Sequence, residues 1–411
     1  MTPMHVLLIH QAYAGLDDPG GTRHYELASC CVSEGFQFTI VASDVSYKTG
    51  RKLERTTPSA DTPGIRVIRV RTPATLHRSI AWRLYAFVRF ALSSLIATLR
   101  ARDVDVFMGT SPPMFQAASA WVASALRRRP FVLEIRDLWP DTVVQGGVLR
   151  NRLAIGAFLA LERFLYRRAS HIIVNSPAYR GYLAEHKGVD PDRITVVPNG
   201  VETKQFHPCA HGEGFRRRHG LQDRFIALYA GALGEANDIP AIVDAADILR
   251  HDDSLAFVLV GDGNRREMCE SMVAERKLTN IVFAGAQPKS AMPEVLAAAD
   301  VCLATLKPNP NYCTVYPNKV FDYMAAGRPT VYTIDGVIRA VLEEANGGVY
   351  VPPGDSQALA EAVLHLRGQP ELSSDMGRSA RDYVERHFER REQAQLFADT
   401  LVRLPDGRPS R

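Results

Sequence analysis

Short apolar runs recurring at helix-sized intervals constrain this chain more than any other feature. They fall at 6–9, 38–41, 104–108, 131–135, 171–174 and 194–197, and a second series follows at 225–229, 256–260, 280–283, 301–304 and 329–332. Runs that are apolar and β-branched throughout, rather than alternating, mark strands buried on both faces, hence a parallel sheet. Helical patterns between them supply the crossovers. The first strand, a loop over 14–22 ending Pro19-Gly20-Gly21-Thr22, a helix from about Arg23 and the strand at 38–41 form a βαβ unit. The two series predict an α/β chain of two tandem doubly wound, Rossmann-like domains, and 411 residues exceed one comfortable core. The last pattern, 378–404, reads as one long charged amphipathic helix.

Open parallel sheets bind ligands outside the carboxyl ends of their strands, so two such domains are expected to share an interdomain cleft. Net charge is +4, yet residues 1–200 carry +9 and residues 201–411 carry −5. A basic first half attracts anionic membrane surfaces and phosphorylated acceptors. No apolar run spans a membrane without a charge, and the first nine residues lack a signal-peptide pattern. Cys30, Cys31, Cys209, Cys269, Cys302 and Cys313 are scattered, with neither metal-ligand spacing nor a disulfide framework. A cytoplasmic protein is expected, and the lack of an Asp-x-Asp pair at a strand's carboxyl end agrees with no metal.

Several constellations fall at strand ends. Gly20-Gly21 lets backbone N–H groups approach an anion, but it is not the G-x-G-x-x-G dinucleotide fingerprint. Gly231-Ala232-Leu233-Gly234 opens the second series in the same way, and Gly261-Asp262-Gly263-Asn264 is followed by Arg265 and Arg266, which can reach a phosphate. Gly261 to Gly263 reads equally as a tight turn. The strand at 131–135 runs into Glu134-Ile135-Arg136-Asp137-Leu138-Trp139, where Arg136 and Asp137 either contact a reacting group or form a structural ion pair. Residues 316–329 read as a capped helix: Pro317 suits its start, Gly327 and Pro329 its end. Lys319 and Asp322 stand just inside that start, where N–H groups and the helix dipole favour phosphate. Residues 77–102 carry Trp82, Tyr85, Leu92 and Ile96 interleaved with arginines, which suits a core helix or one lying at a membrane interface.

Gly20-Gly21, Val197-Pro198-Asn199-Gly200, Tyr229-Ala230-Gly231, Val260-Gly261-Asp262-Gly263, Ala299-Asp300-Val301 and the run from Phe321 to Pro329 together resemble the GT-B glycosyltransferases, specifically the retaining family 4 of the bacterial polysaccharide and O-antigen type. The resemblance implies an acceptor-binding domain over 1–203, a nucleotide-sugar-binding domain over 204–385, and a C-terminal helix over 386–411 packing back on the first. It implies transfer of a sugar, with retention, from a nucleoside-diphosphate donor, UDP foremost, to a saccharide or lipid-linked acceptor at the inner membrane face. No metal or other cofactor is required, and nucleic acid is not a partner. A UDP-sugar epimerase and a non-catalytic sugar-nucleotide-binding protein are the alternatives. Arg136, Asp137 and Lys319 would serve catalysis. Donor contacts would come from Gly20, Gly21, Gly231, Gly234, Arg265, Arg266, Thr314, Tyr316, Asn318 and Asp322. The family's two motif glutamates, eight positions apart, fall here on Thr314 and Asp322, and its Arg and Lys after the second-domain glycine loop are absent. Diphosphate contacts therefore fall to Lys319, Arg265, Arg266 and helix-start N–H groups.

Overall fold

The computed structural model describes residues 3–15, 21–46, 50–53, 62–75, 79–147, 149–206 and 211–404. Gly20, His77, Arg78 and Cys209 lie outside the described residues. The chain divides into two compact units, Met1–Pro198 with Arg391–Arg411, and Asn199–Arg390. The joins of these units fall at 198 and 390.

The first unit holds a parallel sheet of β1 (His5–Ile9), β2 (Gln37–Ser43), β3 (Ile65–Val70), β4 (Val106–Ser111), β5 (Phe131–Ile135), β6 (His171–Val174) and β7 (Ile194–Val196). Its order is β3-β2-β1-β4-β5-β6-β7, which reverses direction between β1 and β4. Leu7, Ile9, Phe107, Leu133 and Ile172 pack on one face, and Val6, Leu8, Phe38, Ile40 and Val132 on the other. Both faces being covered explains the uninterrupted apolar runs.

The second unit holds β8 (Phe225–Ala230), β9 (Leu255–Val260), β10 (Ile281–Gly285), β11 (Val301–Thr305), β12 (Thr330–Thr333) and β13 (Gly348–Tyr350), in the order β10-β9-β8-β11-β12-β13. Its switch point lies between β8 and β11. In each sheet the switch point is where a doubly wound fold opens a crevice at the carboxyl edge.

Two features depart from the expected pattern. β3 and β13 are additional edge strands. β3 is interrupted by Arg66 and Arg69, and β13 has three residues beginning with glycine, so neither shows a continuous apolar run. The long terminal helix is broken into Pro370–His387 and Arg390–Val402. Phe388, 7 % exposed, enters the second unit's core against Phe321 and Tyr316. The backbone there pairs with Val201 instead of continuing the helix: Val201 N–H donates to Phe388 C=O and Arg390 N–H to Val201 C=O, both at 2.9 Å. Beyond the break, Ala394, Phe397, Ala398 and Leu401 join the first unit's core with Leu27, Ala28 and Cys31.

Candidate active site

In the second unit the site is built at the carboxyl ends of β8 and β9. Gly261 has φ +145°, and a Cβ there would stand 1.8 Å from Gly231 C=O, while one at Gly263 would stand 2.4 Å from Leu233 C=O. These glycines exist because two loops touch backbone to backbone. Leu233 N–H donates to Asp262 C=O and Arg265 N–H to Leu233 C=O. Gly231 also makes room for an amine, since a Cβ there would press within 3.3 Å of Lys319 Nζ.

Lys319 comes from the helix Asn318–Ala325, whose Tyr323 hydroxyl anchors it to Ala230 at the end of β8 (2.8 Å from the backbone N–H). The half-buried ammonium donates to Tyr229 Oη at 2.7 Å and Asn237 Oδ1 at 2.9 Å, and its Nζ lies 4.1 Å from the centroid of the Tyr229 ring. Desolvation lowers its pKa to about 7. Dipoles and a π face hold this cation, and a phosphate group would stabilise it far more.

Arg265 is brought to the same loop. It pairs with Glu235, as does Lys307 from beyond β11, and Glu235 and Asn237 lie on one short turn after Gly234. Arg266 is not brought in, because it pairs with Glu270 on its own helix at 2.7 Å. A Cβ on Gly234 would meet only Asn237 Nδ2, at 3.6 Å, and side-chain oxygen of Asn264 at 4.0 Å. Asp322 is half-buried one turn along the helix from Lys319. Asn318 is exposed and accepts from Asn199 Nδ2. Thr314 donates to Asn311 C=O at 2.8 Å within the turn Pro310–Thr314. Tyr316 packs edge-on against Phe321 and Phe388, and burial pushes its hydroxyl pKa up to about 12.

In the first unit, β5 delivers Glu134, fully buried, to the carboxyl edge. It accepts from Arg23 Nε at 2.9 Å and from His24 Nε2 at 2.5 Å, with Arg136 Nε 3.9 Å away. These neighbours hold the Glu134 carboxyl well below the ordinary range, despite its burial. Arg23 also donates to the carbonyls of Val197 and Pro198 at 2.8 and 2.9 Å. Arg136 therefore leans on Glu134, and Asp137 accepts from Thr142 at 3.5 Å, with burial raising its pKa. A Cβ on Gly21 would meet nothing within 4 Å, so packing does not demand a glycine there.

The sequence reading missed His10, Arg23 and His24. The available signal was a histidine closing the first strand and an Arg-His pair opening the first helix, on either side of the glycine loop. A cavity of about 630 Å³ at the amino ends of β8, β11 and β12 is lined by Asp300, Arg328, Arg367, Arg378 and others, and by none of the expected site residues.

Comparison with known proteins agrees with this architecture. Residues 20–200 match the Glycosyl transferase 4-like domain and residues 224–369 the Glycosyl transferases group 1 domain. WcaI of Escherichia coli (strain K12), named for a glycosyl transferase role in colanic acid biosynthesis, is 27% identical over 340 residues, 80% of this chain and 81% of its own length. WbjE of Pseudomonas aeruginosa, named as a glycosyltransferase, is 26% identical over 311 residues, covering 74% of this chain and 76% of its own. The crystal structure of Anabaena Alr3699/HepE in complex with UDP and glucose matches with a TM-score of 0.75 and 17% identity, over 98% of this chain and 100% of that one. With both halves matched in order and each sheet doubly wound, the chain belongs to the GT-B glycosyltransferases of family 4.

Proposed function

We propose that the chain moves a sugar, with retention and without a metal, from a UDP-sugar to a hydroxyl of a lipid-linked saccharide in cell-surface polysaccharide synthesis. The observation that carries the reading is Lys319, an ammonium held by neutral groups at a switch-point crevice. A diphosphate supplies the charge it lacks. Lys319 and Arg265 would stabilise the negative charge that grows on the leaving diphosphate, Asp322 would bind the ribose hydroxyls, and Arg136 and Asp137 would face the reacting sugar. In a front-face transfer the leaving phosphate oxygen takes the acceptor proton as the anomeric bond breaks, so the protein needs mainly to stabilise that oxygen. The structural neighbour that holds UDP and glucose supports the choice of base.

The lipid-linked acceptor is supported by helix Ile80–Arg100, which buries Ala86, Phe87 and Phe90 on one side and is apolar on its exposed side as well. Ser94 and Thr98 are buried, whereas Trp82, Tyr85, Leu92 and Ile96 are each 47–54 % exposed on one stripe. Arg83, Arg89 and Arg100 are exposed on the same helix. An exposed apolar stripe interspersed with cations fits an anionic bilayer surface. No described helix is long and apolar enough to cross a membrane.

The epimerase reading gains one observation, the acid–base side chains gathered at Glu134. One incubation separates the readings. With labelled UDP-sugars, lipid-linked acceptors and EDTA, the proposal expects an α-configured product from an α-configured donor. Epimerised UDP-sugar without acceptor, or binding without turnover, would replace it.

A further inference from the structure

Beside Glu134 lie polar atoms that the transfer chemistry does not use. His10 closes β1 at 1 % exposure, and neither ring nitrogen has a hydrogen-bond partner among the described residues. Gln11, equally buried, has both side-chain amide atoms unpartnered, while its backbone N–H is taken by Gln116 Oε1 at 2.7 Å. The His24 ring lies 4.3 Å from that of His10, centroid to centroid, and its Nδ1 is unpartnered too. Buried polar groups are nearly always paired. Two neighbouring rings and the residue that follows His10 in the chain, all with orphan atoms and all at the switch point of the sheet, mark a place that a ligand completes.

Hydrogen-bond chemistry selects the class of ligand. Glu134 is ionised, so the His24 Nε2 facing it carries the proton and Nδ1 is a bare acceptor. Gln11 Oε1 is a second acceptor. An anion only accepts, and would leave both unsatisfied. A cation is opposed by Arg136 and Arg69, whose charges reach His10. A neutral polyol has O–H groups for the two acceptors and oxygens for the Gln11 amide and His10 N–H groups. We infer that His10, Gln11 and His24 form a subsite for the hydroxyl groups of the acceptor saccharide, with Glu134 as the positioning residue that sets the His24 tautomer. That the sugar is an acceptor rests on the transferase reading; that the site binds sugar does not.

Saturation-transfer NMR tests this with the full chain, without nucleotide, using methyl glucoside, methyl galactoside and N-acetylglucosamine. The variants are Gln11→Met and His10→Phe, each removing side-chain polar atoms that make no hydrogen bond, so Tm should hold or rise. At least one sugar should bind the wild type, each variant should weaken it about tenfold, and UDP affinity should stay within about twofold. A wild type that binds none of the three sugars, undiminished binding in both variants, or a marked fall of Tm in both overturns the site. A chain that binds sugar but transfers none refutes the transferase reading and leaves this subsite standing.

Discussion

At the scale of single residues, Lys319 sets the strongest expectations. Its amine titrates at about 7 in the folded chain, against 10.5 when solvated. A bound diphosphate would restore the charged form, so binding takes up a proton wherever the free amine is neutral. UDP affinity should therefore be highest below pH 7 and weaken on the alkaline side, by up to about tenfold per pH unit. Calorimetric titration of UDP between pH 6 and 9 checks this, and a flat profile would remove Lys319 from the diphosphate site. Stability has the opposite sign. The unfolded chain binds this proton up to 10.5 and the native one only to about 7, so the lysine penalises folding most below pH 7, and the penalty fades as pH rises across that window. Lys319→Met should accordingly raise Tm at pH 6, whereas Lys319→Ala should lower turnover about hundredfold. Lys319 was legible because helix punctuation and a cation are local signals. The Glu134 cluster was not, because Arg23, His24 and Glu134 meet only through the strand order that puts β1 two strands from β5.

At the scale of elements, continuous apolar runs revealed most strands, and one edge strand of each sheet, β3 and β13, escaped. β3 carries Arg66 and Arg69, which an edge strand tolerates, and Arg69 is used to donate to the carbonyls of Tyr13 and Ser43 at 3.1 and 3.0 Å. The terminal helix looked continuous because its charge pattern continues through Phe388, yet that ring gains more by burial against Phe321, at 4.6 Å between centroids, than the helix gains from one more turn. For helix Ile80–Arg100 the composition left core and membrane surface equally open, and the helix divides: Ala86, Phe87 and Phe90 are buried, whereas Trp82, Tyr85, Leu92 and Ile96 are exposed. The element-scale prediction follows from its exposed apolar stripe. Sedimentation with anionic liposomes at low salt should recover the wild type, and Leu92→Glu with Ile96→Glu should abolish it. Both side chains are more than half exposed, so the folded state loses little, and Tm should move by no more than a few degrees. A wild type that stays in the supernatant ends the membrane proposal.

At the scale of the whole molecule, the chain crosses between its units twice, at 198 and at 390, so the last helix belongs to the unit that holds the amino terminus. Phe397, 2 % exposed, and Leu401, 1 % exposed, lie in the cluster formed by Val6, Leu27, Phe38 and Ile40. Truncating a buried phenylalanine costs about 3–5 kcal/mol, a large share of the stability of a domain this size. Phe397→Ala should therefore lower the unfolding temperature of the first unit by many degrees, although it lies some 200 positions from that unit's last strand, β7 (Ile194–Val196). The groups proposed to hold UDP, Lys319, Arg265 and Asp322, lie in Asn199–Arg390 and share no core with Phe397. UDP affinity measured below the transition should thus stay within about twofold of wild type, since uncoupled sites add independently. Calorimetric unfolding paired with UDP titration checks both halves. An unchanged transition would detach the helix from the first core, and a large loss of UDP affinity would place part of the nucleotide site outside the second unit.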